Sequence, residues 1–414
     1  MAKKPTTLLG RIYATLGSYW LAVALLVNLF LLTWLGTLEQ VDKGIHRVQE
    51  EYFESWWVLA KAGPVRMWLP GGYITMGLFT MNLLIGGLVR IRKTRRTAGV
   101  IVAHIGIALM MVGGLIEHAT SKYGRVLLFE GQSGDQFEEY AGWELVIWDA
   151  SERTGVTEYL IPEEDFDDLE GDDQRRFERD ELPFDLVLSR FFHNCQPRRA
   201  VGSGIPTAPV VEDYFLEALP REIEEERDFR GLYVAAVTEG GAEVVETFLW
   251  GRRPIPWTVE AGGRDWAVAL RRKVHSMPFS LRLEKFTKDD HPGMTMARSF
   301  SSDVTKIFPD GTEEAVHIRM NEPLRDGGLV VYQASYGPPE GQSGEPYSVL
   351  AVSRNPSDRM PWIAVSVIAL GLALAMFDRL FEFIKRERGK RDRAASSGSG
   401  KTKVADAVRE EAVA

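Results

Sequence analysis

Four stretches of this chain carry no charged side chain over a length that can cross a lipid bilayer, and they limit the folds open to it. Leu16 to Gly36 is 21 residues, Gly71 to Val89 is 19, Gly99 to Ile116 is 18, and Pro361 to Phe377 is 17. A helix rises about 1.5 Å per residue, so each covers roughly the 25–30 Å of a hydrocarbon core. The third reads as a helix over 99–118. The fourth is the shortest, but Pro361 suits a first helical turn and Trp362 an interface. The first has basic flanks, as a cleaved signal would. Its apolar core is too long for one, however, and Gly36-Thr37-Leu38 is not a small-x-small site, so it reads as a retained anchor.

Bulk composition hides this segregation. A mean hydropathy of -0.13, with 26% charged residues and a net charge of -9, would describe a soluble protein if the apolar blocks were dispersed. The acidic balance, without a basic stripe, argues against nucleic acid as a partner. The single cysteine, Cys195, forms no internal disulfide and belongs to no Cys-x-x-Cys or Cys-x-x-Cys-His. The chain is thus neither a thiol oxidoreductase nor itself a c-type cytochrome, and Cys195 reads as a plain thiol in the folded domain.

Basic residues assign sides to the spans. Lys3, Lys4 and Arg11 precede the first; Arg90, Arg92, Lys93, Arg95 and Arg96 join the second to the third. Arg379, Lys385, Arg386, Arg388, Lys390, Arg391 and Arg393 follow the fourth. With four spans all three clusters fall on one side, which the positive-inside rule makes cytoplasmic. This predicts a cytoplasmic 1–15, spans at 16–36, 71–89, 99–118 and 361–377, a basic cytoplasmic link at 90–98, and a cytoplasmic tail at 378–414. The loop 37–70 and a large domain over 119–358 lie outside. The expected fold is a membrane protein of the inner, cytoplasmic membrane: three helices plus one, with a large extracytoplasmic all-β domain between helices 3 and 4.

That domain reads as about ten to twelve strand-like runs. Gly124–Glu130, Trp143–Asp149, Phe184–Phe192 and Phe279–Phe286 alternate apolar and polar residues, and Gly, Pro and Asp punctuate them. Helical periodicity is confined to the neighbourhood of 222–227. A sandwich or a partly open barrel is the natural packing. The stretch 162–181 is densely acidic but lacks the alternation of a calcium loop, and reads as a solvated or disordered excursion. The tail beyond Arg393 reads as disordered.

Several short stretches, in order, resemble the ResB family of cytochrome c biogenesis proteins. They are Leu35-Gly36-Thr37-Leu38-Glu39-Gln40 leaving the first span, Tyr52-Phe53-Glu54-Ser55-Trp56-Trp57 before the second, and Ala103-His104-Ile105-Gly106 within the third. Gly124-Arg125-Val126 and Glu130-Gly131 follow. Met320-Asn321-Glu322-Pro323-Leu324 then leads to Tyr332-Gln333-Ala334-Ser335-Tyr336. The three-plus-one layout is also the family's, and the resemblance covers residues 10 to 380. It departs at Glu322, where some relatives have histidine, and in the acidic insert. The tryptophan-rich signature of the family's partner, CcsA, is absent; the pair Trp56-Trp57 is not it.

The resemblance implies a subunit of a System II cytochrome c synthetase. It would work with a CcsA-type membrane protein to carry heme b outward and hold it against apocytochrome c. A thioredoxin-like, ResA-type reductant would keep the acceptor thiols reduced. No nucleophile elbow, Walker loop or dinucleotide fingerprint occurs; the resemblance implies a non-catalytic or accessory subunit of that heme lyase, and whether the chain itself catalyses a step is left open.

Seven histidines could ligate heme iron. His104 lies within an apolar span, where an ionisable group is costly and usually functional, and it matches the family's membrane histidine. Its bland alternative is a hydrogen bond to a neighbouring helix. His118 follows fourteen residues later, about 40° from the same face and about 21 Å further along; its bland alternative is an interfacial position. Both are candidate ligands. The other three spans contain no histidine, so a second membrane ligand has to come from another chain. His46, His193, His275, His291 and His317 read as surface or hydrogen-bonded residues, without zinc spacing. Two rival readings are a membrane b-type cytochrome in electron transfer and a non-heme scaffold whose β-domain binds an envelope protein.

Overall fold

The structure is a computed structural model and describes residues 7–62, 65–151, 155–200, 208–238, 244–293, 297–338 and 344–411. The chain forms two compact units. One comprises Met1–Leu35, Glu51–Thr120 and Pro356–Ala414; the other comprises Gly36–Glu50 and Ser121–Asn355.

The first unit is built from apolar helices. Helix α1 (Leu8–Leu16) is capped by the Thr7 hydroxyl, which accepts the Gly10 N–H at 3.2 Å. Helix α2 (Tyr19–Lys43) follows; its part beyond Leu35 and the single turn α3 (Ile45–Val48) belong to the second unit, and a π-turn, Gln49–Phe53, returns to the first. A hairpin of β1 (Trp57–Ala62) and β2 (Val65–Pro70) leads into α4 (Gly72–Asn82), which passes into a π-helical stretch, Leu83–Val89. Helices α5 (Ala98–Thr120) and α6 (Met360–Glu411) complete the set. Among the described residues, four helices are long and apolar enough to cross a membrane: Tyr19–Lys43, Gly72–Val89, Arg95–Thr120 and Met360–Arg391. They overlap the four charge-free stretches. Helix α2 runs past Gly36 because no turn residue stops it before Gly44, at φ +82°. Helix α6 continues to Glu411, through a tail whose early part is rich in the helix formers Glu, Lys and Arg.

Close backbone contact holds α5 to α6. A Cβ added to Gly99 would lie 2.4 Å from the Ala375 nitrogen, and one on Gly371 would lie 2.3 Å from the Ala103 nitrogen. One on Gly106 would lie 2.8 Å from the Ile368 nitrogen. Gly99, Gly106 and Gly113 recur every seventh residue, so one helix face is stripped of side chains along its length. Side-chain amides join the other helices. Asn28 Nδ2 donates to the Pro70 carbonyl at 2.9 Å and to Thr75 Oγ1 at 2.8 Å; Asn82 Nδ2 donates to the Leu16 and Ser18 carbonyls at 2.6 and 3.0 Å. In an apolar surrounding such side-chain bonds across helices hold the elements together.

The second unit is β-rich. Its strands are β3 (Lys122–Phe129), β4 (Ser133–Asp149), β5 (Glu158–Pro162), β6 (Gln174–Phe177), β7 (Phe184–Phe192), β8 (Cys195–Arg199), β9 (Tyr214–Ala218), β10 (Gly231–Thr238), β11 (Val244–Trp250), β12 (Trp257–Ala261), β13 (Arg264–Asp290), β14 (Ala297–Ile307), β15 (Glu313–Arg319), β16 (Leu324–Asp326), β17 (Leu329–Gly337) and β18 (Tyr347–Arg354). Sixteen strands among the described residues exceed the ten to twelve expected. The short β5, β6, β12 and β16 are too brief to show alternation in sequence. All strand pairings among the described residues are antiparallel. The larger sheet runs β15-β14-β13-β4-β3-β18-β17-β16, with β12 beside β13 and β5 beside β4; a second runs β11-β10-β7-β6.

Both expected packings are present, because β4 and β13 serve two cores. Trp143, Leu145 and Ile147 of β4, with Trp266, Val268 and Leu270 of β13, face Phe184, Leu186, Leu188, Leu232 and Val234 of the second sheet as a sandwich. Further along, Phe137 of β4 and Phe279, Leu281 and Leu283 of β13 join Val126, Leu128, Val304, Ile318, Val331 and Leu350. There the large sheet curls on itself. The bend comes where the β4–β13 register shifts, between Arg272 and Val274 and again between Ser276 and Leu281.

The acidic stretch is folded, not a disordered excursion. Phe166 and Leu169 are buried in the sandwich core. Asp168 takes a bidentate bond from Arg175, both at 2.9 Å, and Glu163 is held at 2.9 Å by Arg230. Charge density masked the two apolar anchors that fix the segment.

Candidate functional site

His104 lies in α5, packed against the π-helical stretch. Its Nδ1 is 2.7 Å from the Val100 carbonyl oxygen, one turn earlier. A carbonyl can only accept, so Nδ1 carries the hydrogen, and in the neutral ring Nε2 is then the nitrogen with the lone pair. That is the tautomer required of an axial ligand to iron, and the backbone bond also fixes the ring's rotation. The ring edge rests on Gly87, where an added Cβ would lie 2.3 Å from the His104 Cδ2 and 3.0 Å from its Nε2. Only glycine leaves the ring its place. The wider π-helical geometry at Leu83–Val89, of a kind frequent at functional sites, brings this backbone to the imidazole.

His118 lies at the other end of α5, half-exposed, in a polar and aromatic group. Its Nε2 is 3.5 Å from the Tyr73 hydroxyl, and its Nδ1 is 3.6 Å from a Glu54 carboxylate oxygen. Both separations are at or beyond the limit of a hydrogen bond. The Tyr73 ring stands edge-on to the imidazole at 6.0 Å and to Trp56 at 5.7 Å. The structure does not bring His104 and His118 together: about 21 Å of helix separates them, too far for one iron. They are two places, not one ligand pair. In the sequence Tyr73 and Gly87 have no assigned role, and Glu54 appears only as part of the Tyr52–Trp57 stretch; they approach the histidines through the fold.

The other histidines lie in the β-rich unit. His275 Nε2 is 2.6 Å from Glu139, and His317 Nδ1 is 2.6 Å from Asp303. His291 is half-buried before the turn at Pro292-Gly293. His46, on α3, sits 2.7 Å from Glu225. Glu225 belongs to a buried ion network in which Arg230 is held by Glu163 at 2.9 Å, by Glu225 at 2.7 Å and by the His193 carbonyl at 2.9 Å. Burial pushes Glu225 up, but the hydrogen bonds and charges of His46 and Arg230 outweigh it and hold its pKa at about 2. Burial, with Arg221 and Arg230 nearby, lowers His193 to about 4. This network ties α3 and the segment around Glu163 to the sheets, a structural task. Cys195 is also structural: burial raises its thiol to about 12, far from a reactive thiolate. Among the described residues no three His, Cys, Asp or Glu side chains converge as a metal site.

The motif residues of the C-terminal strands are structural too. Gln333 and Ser348 are buried, and Ser302 lies fully inside. Ser302 donates to Gln333 Oε1 at 2.6 Å, and Gln333 Nε2 donates to the Ser335 carbonyl and to Ser348 Oγ, both at 2.9 Å. This closed network pins the register shift between Gln333 and Ser335. Glu322, in the place where some relatives carry histidine, is exposed and pairs with Arg319 at 2.5 Å.

Residues 257–344 match the model of the ResB-like family. They span β12 to β17 and include both C-terminal motifs. No curated protein matches the chain. Among solved structures, a cytochrome c heme lyase, CcmF, aligns over 73% of this chain and 31% of its own, at 10% identity and a TM-score of 0.18. This chain thus spans about a third of that protein's length, and a likeness at that score carries no argument about fold or activity.

Proposed function

Because residues 257–344 are ResB-like, we propose that this chain is a ResB-type subunit of a System II cytochrome c synthetase, seated in the bacterial cytoplasmic membrane. The observation that carries the reading is this family match on a chain that also has four membrane-length helices. In this reading the termini and the basic link after α4 are cytoplasmic, and the β-rich unit is extracytoplasmic. The partners are a CcsA-type membrane protein, apocytochrome c, and a ResA-type reductant that keeps the acceptor thiols reduced.

The cargo is heme b, and the residues suited to it are His104 first and His118 second. His104 is supported by its tautomer: the Val100 carbonyl takes Nδ1–H and leaves the Nε2 lone pair for iron. Heme would supply the electrophilic vinyl groups that the acceptor thiols attack. This chain's residues would hold and orient it, a contribution that needs no nucleophile of its own. A second axial ligand comes from the partner, since no other membrane-length helix contains a histidine.

Deletion of the gene tests the reading. The expected result is loss of all c-type cytochromes with b-type cytochromes intact, restored by the wild-type chain. Normal c-type cytochromes in the deletion strain would exclude the reading, and loss of a b-type oxidation instead would favour an electron-transfer cytochrome.

A further inference from the structure

The hairpin β1–β2 has two unlike faces. Register places Trp57 opposite Pro70, Leu59 opposite Trp68, and Lys61 opposite Arg66. Directly paired residues share a face. That face is open: Trp57 is 59% exposed, Trp68 70% and Leu59 37%, and Lys61 and Arg66 are exposed as well. The opposite face is shut, with Val58 at 5% and Ala60 at 0%. The hairpin is thus a covered sheet presenting an aromatic base and a cationic end.

Two further observations bear on what meets the open face. The hairpin base is fixed to the helices. Gly71 N–H donates to the Trp56 carbonyl at 2.8 Å, Tyr73 N–H to the Ser55 carbonyl at 3.2 Å, and Asn28 of α2 holds the Pro70 carbonyl at 2.9 Å. Tryptophan 57 and its neighbours therefore sit where α4 begins. Second, Lys61 and Arg66 are like charges directly across a two-stranded ladder, an arrangement that destabilises it. Neither meets a carboxylate among the described residues. An anionic group placed against this end would relieve that repulsion.

We propose that this hairpin lies on the bilayer surface, with Trp57, Leu59 and Trp68 at the level of the glycerol backbone and Lys61 and Arg66 on the phosphates of anionic phospholipid. Tryptophan favours that depth, and paired cations beside it favour acidic headgroups. The inference rests on α2 and α4 being membrane spans, part of the reading above, but not on heme.

The test uses the full chain in nanodiscs, in a Cys195→Ala background, with a nitroxide on Leu59→Cys. A label at Leu84→Cys in the π-helical stretch reports the lipid core, and one at Glu246→Cys on β11 reports water. Collision rates with oxygen and with a neutral nickel chelate are compared in phosphatidylcholine discs with and without phosphatidylglycerol. The expected result is a residue-59 ratio between the two references that rises with phosphatidylglycerol. Lys61→Gln and Arg66→Gln should each weaken that response about fivefold. A residue-59 label as open to nickel as residue 246, or one shielded from both reagents, overturns the proposal; so does a ratio indifferent to phosphatidylglycerol. If residue 84 itself reports water, it is the membrane reading that fails.

Discussion

Gly87 is the residue on which the His104 site turns. Gly87→Val drives a side chain into the imidazole edge and displaces Nε2 while leaving the histidine in place. Heme retained by the purified complex is expected to fall about tenfold or more, the range seen when a ligand loses its orientation, with His104→Ala as the limiting case. Absorbance of the Soret band per mole of protein measures it, and a Gly87→Val complex with full heme would remove His104 from the path. A second expectation concerns acid. His193 takes its proton near 6.5 when unfolded but only near 4 when folded. Its contribution is therefore complete above about 6.5 and lost as pH falls toward 4, by about 1–2 kcal/mol once the exposed part of the ring is discounted. Glu225 adds a loss below about 4.5, down to 2. His193→Gln should flatten the pH 4–6.5 slope of thermal unfolding and leave the lower limb. His104 stood out in the sequence as a candidate because an ionisable group in an apolar run is costly. Gly87, Glu54 and Tyr73 did not, since a glycine or a carboxylate acquires meaning only from the residue placed against it.

At the scale of elements, the α5–α6 contact depends on missing side chains. Gly371→Leu inserts a branched group where a single Cβ already meets the Ala103 nitrogen at 2.3 Å. The helices must separate, at a cost of about 1–3 kcal/mol or more. The detergent-solubilised variant is expected to lose helix 6 to proteolysis sooner than wild type, whereas Gly389→Leu, with nothing near it, should behave as wild type. Helix positions were readable because charge-free runs of that length have one common explanation. Their ends were less so: α2 outlasts its apolar run by seven residues, to Lys43, since helix propensity continues where hydrophobicity stops. The acidic stretch misled for the converse reason. Phe166 and Leu169 are the only large apolar residues between Asp165 and Asp173, too few to outweigh the charges in any window, yet they are what the core holds.

For the whole molecule the decisive measurement is sidedness. Alkaline phosphatase fused after residue 200 or 300 should be active and after residue 93 or 390 inactive, with a cytoplasmic reporter giving the reverse. The opposite pattern would invert every partner assignment. The sequence carried this expectation through its three basic clusters, but it could not reveal that β4 and β13, of 17 and 27 residues, each pass through both β cores. Long strands look like two short ones when a register shift interrupts their alternation. That shared pair has a thermodynamic outcome. Neither core can open without pulling the hydrogen-bonded ladder of the other, so sandwich and barrel should melt as one event, with tryptophan fluorescence and β circular dichroism losing signal at a common midpoint. Damage to either core is then felt by the whole β-rich unit, and any heat or mutation that loosens Trp266 also releases Leu281.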